Sequence, residues 1–171
     1  MAPTAKQKPF VEKNYPASKA DLFAVFIEKC GQMLVPNGYQ AMITMHGWMF
    51  LSKMLELRKK VLMQKIVSLM HLGARAFDEI SGEVVQTTAF VIASSNCPSY
   101  RGKYSRLVDE NTSQNKESAF LAHSYEFLAM QEDFAVIPDM PISYHLSNNV
   151  YSIFAKTQYL GNVGVARQGL A

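Results

Sequence analysis

The side chains best suited to chemistry lie just after two apolar segments of strand length. His46 and Trp48 follow Tyr39–Met45, and Arg75 and Phe77 follow the next such segment along the chain. The carboxyl ends of parallel strands meet at one edge of an open α/β sheet, and ligands bind at that edge. His46 and Trp48 therefore mark the border of a candidate cleft, although an aromatic residue at such a position more often belongs to the core.

The loop aromatic Phe77 has two interpretations that its spacing alone does not separate. It lies in Arg75-Ala76-Phe77-Asp78, among small and polar residues. A ring of this kind often closes a hydrophobic core as a plug. Enzymes that modify a base in DNA extrude that base and hold it by aromatic stacking, which a ring at a sheet edge can provide.

The remaining polar and charged residues predict no further site. We expect packed or solvated imidazoles and reduced thiols, because none of these residues has metal-ligand or redox spacing: His46, His71, His123, His145, Cys30 and Cys97. Two loop carboxylates are expected to be solvated, Glu79 and Glu83. Without a preceding strand, Gly161-Asn162-Val163-Gly164 is not a phosphate loop. One helix is expected to carry a solvent-exposed basic face rather than a phosphate-binding surface, formed by Lys53, Arg58, Lys59 and Lys60.

Alternating helices and strands between Ser18 and Ile92 predict the scaffold that holds these residues. Apolar residues at helical spacing predict one helix after Ser18 and a second over Leu51–Gln64. Short apolar runs predict strands, at Tyr39–Met45, Ile66–Leu72 and Glu83–Ala93. A loop without a helix joins the last two strands, so that pair is expected to be antiparallel in an α/β sheet.

The two ends of the chain are less regular. Residues 1–16 are expected to be an unanchored leader, because Pro3, Pro9 and Pro16 oppose regular structure. Beyond a linker-like stretch we expect a strand or hairpin, a helix and an extended segment, at 100–109, 116–130 and 138–147. We therefore predict three regions: a leader at 1–16, a core at 17–95 and an extension at 96–171.

Composition limits the class of protein. Of the 171 residues, 49% are hydrophobic and 18% are charged, which indicates a globular chain rather than a disordered one. A net charge of +3 is too small to indicate a dedicated electrostatic binder of nucleic acid. We find neither a signal peptide nor a membrane-spanning run in the sequence, so we expect a cytoplasmic protein.

Several segments together resemble one enzyme family. They are Asn14-Tyr15-Pro16, 18–23, Phe26-Ile27-Glu28, 48–52 and, longest, 71–87. These segments are similar to the adenine-N6 DNA methyltransferases of the gamma class, including type IIG-like enzymes, and most specifically to the PglX-like enzymes of BREX phage-defence systems. The resemblance covers most of residues 14–93, with weaker matches beyond residue 100.

The resemblance implies a particular fold. It is the C-terminal half of a Rossmann-like methyltransferase sheet with a terminal antiparallel strand, followed by an irregular α+β extension toward the DNA-recognition region. In that fold the Glu83–Ala93 strand lies between the other two predicted strands and runs antiparallel to both.

The resemblance also implies chemistry that this chain does not complete alone. Family members bind S-adenosylmethionine at a glycine loop after their first strand and grip a flipped adenine with an Asn-Pro-Pro-Tyr motif. The chain contains neither motif. We therefore expect part of a site-specific DNA adenine-N6 methyltransferase, acting in phage defence or restriction-modification, that is inactive by itself.

The resemblance also implies roles for a few residues, and it implies which partners the protein has. It places the ring of Phe77 against the flipped base, and it makes Arg75, Arg101 and Lys103 candidate DNA contacts. The implied partners are DNA and either the missing front half or other defence-system proteins, without a membrane.

Two alternatives from other classes stay open. One is a non-catalytic interaction or DNA-binding module that pairs through the open edge of its sheet, with self-association as its sign. The other is an unrelated small α/β enzyme, which needs a cleft lined by carboxylates or histidines of shifted pKa.

Overall fold

A computed structural model describes the protein at residues 2–77, 85–95, 97 and 99–165. The strands are β1 (Tyr39–Met45), β2 (Lys65–Gly73), β3 (Thr87–Ala93), β4 (Arg101–Arg106) and β5 (Glu126–Met130). The helices are α1 (Lys8–Asn14), α2 (Leu22–Gln32), α3 (Leu55–Leu62), α4 (Ser113–Leu121), α5 (Gln131–Phe134), α6 (Asn148–Lys156) and α7 (Leu160–Val163). Two short 3-10 helices precede α3, at His46–Met49 and Ser52–Met54.

The strand order is the one expected of a methyltransferase sheet. The five strands pair in the order β1-β3-β2-β4-β5. β3 lies between β1 and β2 and is antiparallel to both, so that Met42 and Leu69 each pair with Phe90. These pairings confirm the predicted order and direction of the three strands. The predicted start of the third strand, at Glu83, lies outside the described residues.

The sheet continues beyond residue 95 into the extension. β4 pairs in parallel with β2, and β5 pairs antiparallel with β4. The fold is α/β: the second half of a Rossmann-like methyltransferase sheet with one reversed strand, plus an irregular α+β extension. The division into regions at residues 16 and 95 stays a prediction.

Burial of the strands follows their position in the sheet. β3, inside the sheet, is buried at nearly every residue and consists of Thr, Ala, Phe, Val and Ile. Such residues pack well on both faces of a central strand. β1 instead buries Gln40 and Thr44 on one face and exposes Tyr39 and Ile43 on the other. The main core therefore lies on one side of the sheet.

This core joins the predicted half-sheet to the extension. Trp48 is fully buried and packs edge-to-face on Phe90, with ring centroids 5.2 Å apart. α2, α3 and the extension add further buried residues to the same cluster, among them Ile27, Leu57 and Tyr144. Within the described parts of the chain, no helix is long and apolar enough to cross a membrane.

The first residues are anchored, so the prediction of a free leader is wrong. α1 buries Val11, and Tyr15 directly after it is also buried. Pro9 lies in the first turn of α1, where the missing N–H of proline removes no helical hydrogen bond. The prolines therefore mark the start of a helix here rather than its absence.

The predicted helix at 116–130 is wrong in its second half. α4 begins after Thr112, whose side chain accepts a hydrogen bond from the backbone of Asn115, and it ends at Leu121. At His123 the backbone has a positive φ of 53°, and the chain turns into β5. Pairing with β4 thus decides the conformation of residues that suit a helix locally.

The second predicted helix is shorter than expected, and the prediction that its basic face is exposed to solvent is wrong for Arg58. α3 begins at Leu55, because the residues before it form 3-10 turns. Lys59 and Lys60 are exposed as predicted, but Arg58 is fully buried. Helical spacing alone does not reveal that the long side chain of Arg58 is the one that turns inward.

Candidate functional site at the carboxyl edge of the sheet

Three parallel strands end at the same edge of the sheet. β1 and β2 are both antiparallel to β3, so they run in the same direction, and β4 is parallel to β2. The segments that follow them therefore lie at one edge, starting at His46, Ala74 and Leu107. This is the edge at which open α/β sheets bind ligands.

A chain of hydrogen bonds connects two histidines and a tyrosine at this edge. Nδ1 of His46 lies 2.8 Å from Nε2 of His71, and Nδ1 of His71 lies 3.1 Å from the Tyr144 hydroxyl. Tyr144 is buried and stacks on Tyr104, with centroids 5.0 Å apart and an interplanar angle of 4°. Both imidazoles are packed, and the hydrogen bond between them was not predicted from the sequence. The available signal was that His46 directly follows β1 and His71 lies near the end of β2, the two strands that flank β3.

Burial keeps both histidines uncharged. Burial is the main cause that lowers the pKa of His71 to about 4, and repulsion from Arg106, Lys116 and any protonated neighbouring imidazole lowers it further. Burial also lowers the pKa of His46. Arg106 forms an ion pair with Asp109 at the end of β4. The edge therefore presents neutral imidazoles at pH 7.

Acid is expected to destabilise the fold through His71. Its pKa is near 6.5 in the unfolded chain and about 4 in the folded one, so the unfolded state binds more protons between these values. This contribution to stability is complete above pH 6.5 and is lost as the pH falls toward 4, by about 2–3 kcal/mol at pH 4.5. Urea unfolding at pH 7.5 and pH 4.5 measures the loss.

His71→Gln is the matched control for this titration. Glutamine keeps hydrogen-bonding capacity but binds no proton, so the variant should lose about 2–3 kcal/mol less than the parent between the two pH values. An equal loss in both proteins would assign the acid sensitivity to other groups.

Phe77 lies at the same edge with an accessible ring. It is four residues beyond Gly73, the last residue of β2, and its exposed fraction is 43%. This exposure agrees with the expectation that the ring is not sunk in the core. A second ring, Phe50, is 42% exposed and packs edge-to-face on His46, with centroids 4.9 Å apart.

Of the other residues singled out from the sequence, some lie at the carboxyl edge and others lie elsewhere. Arg75 is exposed at the carboxyl edge and has a positive φ of 55°. Trp48 is wholly within the core. Arg101 lies at the first residue of β4, at the opposite edge, and Lys103 pairs with Glu126 at 2.9 Å. His46, Arg75 and Phe77 thus follow strands that end at the same edge of the sheet, and the other residues do not lie in the exposed segments of that edge.

Arg58, which was predicted to be exposed to solvent, holds the backbone behind this edge. Its guanidinium donates to the carbonyls of Trp48 at 2.8 Å, Leu51 at 2.7 Å and Asp139 at 2.8 and 3.0 Å. The Ser52 hydroxyl also donates to the Asp139 carboxylate at 2.6 Å. Asp139 and Met140 have positive φ values of 63° and 49°. Arg58 therefore ties the segment after β1 to a turn of the extension.

Among the described residues of this edge there is neither a metal centre nor a donor-binding loop. The described residues contain no group of three or more potential metal ligands. The two nearby glycines pack against side chains: a Cβ on Gly47 would lie 3.0 Å from Leu51, and one on Gly73 3.0 Å from Val108. Neither glycine therefore frames an open cradle for a nucleoside cofactor.

Comparisons with known proteins first define the class. Residues 2–77 match the family described as Eco57I restriction-modification methylase. The fold also resembles a cryo-electron-microscopy structure, the DrdV–DNA complex, with a TM-score of 0.57 and 13% identity. That match covers 86% of this chain and 16% of the other, and it concerns the fold alone.

The particular relatives are adenine-specific methyltransferases. The chain is 44% identical over 168 residues to the adenine-specific methyltransferase PglX of Lacticaseibacillus casei (strain Zhang), covering 94% of this chain and 14% of the relative. It is 40% identical over 159 residues to BrxX of Escherichia coli O9:H4 (strain HS), covering 92% and 13%. The chain is therefore a relative of the PglX-type adenine-specific methyltransferases, as its sequence predicted. It spans about one-seventh of their length.

Proposed function

We propose that this protein is part of a site-specific DNA adenine-N6 methyltransferase of phage defence. Such an enzyme transfers a methyl group from S-adenosylmethionine to an adenine that is flipped out of the duplex. The observation that carries the proposal is the accessible ring of Phe77 at the carboxyl edge of a methyltransferase-type sheet. The relatives' names, adenine-specific methyltransferase, support the same reaction.

Phe77 holds the extruded base by stacking. A base stacked on an aromatic ring is stabilised by about 1–3 kcal/mol, provided that one face of the ring is free of protein. The 43% exposure of Phe77 supports this role. Stacking fixes the plane of the adenine and so orients its amino group for reaction.

Basic residues near Phe77 contribute to DNA binding in this proposal. Arg75 is exposed two residues before Phe77, and in this proposal its guanidinium contacts a phosphate near the flipped nucleotide. Arg101 and Lys103, which are farther along the sheet, remain candidate DNA contacts outside this edge.

S-adenosylmethionine supplies the methyl group when it is bound to such an enzyme. The residues described here do not fit a pocket for it, because the glycines of the carboxyl edge are packed against side chains. We therefore assign no part of the methyl transfer to a donor site in this chain.

The isolated chain is expected not to bind S-adenosylmethionine at micromolar concentration. A micromolar dissociation constant corresponds to about 8 kcal/mol and requires a formed pocket. Calorimetric titration of the chain with the donor tests this, and a micromolar dissociation constant contradicts it.

The matched experiment is a chimera in which this chain replaces the matching 168 residues of the Lacticaseibacillus casei relative. We expect the chimera to bind the donor and to incorporate labelled methyl groups at adenine N6 in DNA. Methylation of cytosine instead of adenine would overturn the proposed function.

The second candidate is an interaction module that pairs through the open edge of its sheet. The observation in its favour is β1, an outer strand with Tyr39 and Ile43 exposed by 64% and 57%. Exposed apolar edges favour pairing with another chain. Sedimentation of the isolated chain distinguishes the two candidates when it is combined with the methylation assay of the chimera.

A further inference from the structure

The protons of the His46–His71–Tyr144 chain have one consistent arrangement. The Tyr144 side chain is buried, and within the described part of the protein its hydroxyl has a single hydrogen-bond partner, Nδ1 of His71. A buried hydroxyl that does not donate leaves its proton unsatisfied, which is unfavourable. The Tyr144 hydroxyl therefore donates to Nδ1 of His71.

This first hydrogen bond determines the tautomers of both histidines. A neutral imidazole that accepts at Nδ1 carries its proton on Nε2. Nε2–H of His71 then donates to Nδ1 of His46 over 2.8 Å. By the same rule His46 carries its proton on Nε2. That atom has no partner among the described residues and is absent from their buried unpaired atoms, so it faces solvent.

We infer that Nε2–H of His46 donates a hydrogen bond to a ring nitrogen of the extruded adenine. The inference rests on the proposed function and adds to it a residue that orients the base in its own plane. Phe77 stacks on the face of the base, and His46, at the same edge, contacts its rim. Tyr144 and His71 are positioning residues, because they act on the base only through the tautomer of His46.

A neutral donor suits a neutral acceptor better than it suits a phosphate. Phosphate oxygens are anionic and are bound most strongly by cations such as Arg and Lys. His46 is held uncharged by burial, beside a second imidazole that is also uncharged. Ring nitrogens N1, N3 and N7 of adenine are uncharged acceptors, and one such hydrogen bond restricts rotation of a stacked base.

Nuclear magnetic resonance of the chain tests the proton arrangement directly. Long-range ¹⁵N–¹H correlation at pH 7 should show His46 and His71 as Nε2–H tautomers. In Tyr144→Phe, which keeps the ring but removes the donor, His71 and His46 should become mixtures of tautomers. An Nδ1–H tautomer or a doubly protonated ring at His46 in the parent chain overturns the inference.

Base analogues in the chimera test the contact itself. DNA in which the target adenine is replaced by 1-deaza-, 3-deaza- or 7-deazaadenine lacks one ring acceptor at a time. We expect one analogue to lower kcat/KM roughly 10-fold in the unsubstituted chimera. In the His46→Phe chimera, kcat/KM with adenine should be lower by a similar factor. Replacing adenine with that analogue should then change kcat/KM of this variant by less than twofold.

The outcomes separate this inference from the proposed function. If the chimera methylates adenine but His46→Phe and the parent respond equally to all three analogues, the contact is wrong and the function stands. If the loss in His46→Phe instead disappears with a methylphosphonate beside the target, His46 contacts a phosphate and the inference also fails. Tyr144→Phe should reduce kcat/KM about threefold without removing an atom that touches DNA.

Discussion

Replacing Arg58 with methionine is expected to lower the free energy of unfolding by about 3 kcal/mol. Methionine fills much of the same volume but donates no hydrogen bond, so the carbonyls of Trp48 and Asp139 lose their partner. The Leu51 carbonyl keeps only the hydrogen bond from the backbone of Met54. Each buried acceptor left without a donor is unfavourable by about 1–3 kcal/mol, and removal of the buried charge offsets part of the sum. Urea denaturation at pH 7.5 measures the change.

Lys59→Met is the matched control, one residue along the same helix. Lys59 is exposed and pairs at the surface with Glu56 at 2.7 Å. Surface pairs of this kind contribute little, so we expect a change within about 0.5 kcal/mol. If both variants lose the same amount, the burial of Arg58 contributes nothing specific. A loss below about 1 kcal/mol for Arg58→Met would likewise contradict the structure.

Replacing Phe77 with alanine in the chimera is expected to lower kcat/KM for DNA adenine methylation by about 10- to 100-fold. This range lies within the about 5- to 150-fold that corresponds to the about 1–3 kcal/mol that stacking gives a base on an aromatic ring. Since the ring is 43% exposed, its removal should change the free energy of unfolding by less than about 1 kcal/mol. Steady-state methylation and thermal unfolding of the same protein measure the two quantities.

A series at this position separates stacking from bulk. Phe77→Trp offers a larger face and should retain most of the activity, whereas Phe77→Leu is apolar without a planar ring and should behave nearly like alanine. If leucine restores activity as well as tryptophan does, the role of Phe77 is packing. A loss of several kcal/mol of stability in Phe77→Ala would show a core residue and refute the stacking role.

Short-range sequence patterns were enough to predict the half-sheet. β1 spans the predicted residues, and β2 extends the predicted strand by one residue at each end. The place of β3 between them followed from the resemblance, and its direction from the helix-free connection to β2. Periodicity, turns and connection length are local properties, so a sequence displays them directly. The accessibility of Phe77 does not belong to this class, because spacing alone left a core plug and an exposed ring as alternatives.

Only the tertiary structure decided the contacts that build the site. The bonds from His71 to His46 and Tyr144 span 25 and 73 residues, and the bonds from Arg58 to Asp139 span 81. The helix of residues 8–14 and the division of residues 113–130 into α4 and β5 likewise depend on packing and strand pairing. Residue types alone predicted an exposed Arg58, and they did not predict the hydrogen bond between His46 and His71, because an isolated segment of chain leaves these side chains in water. The folded core removes that water and leaves the backbone carbonyls and ring nitrogens as the available partners.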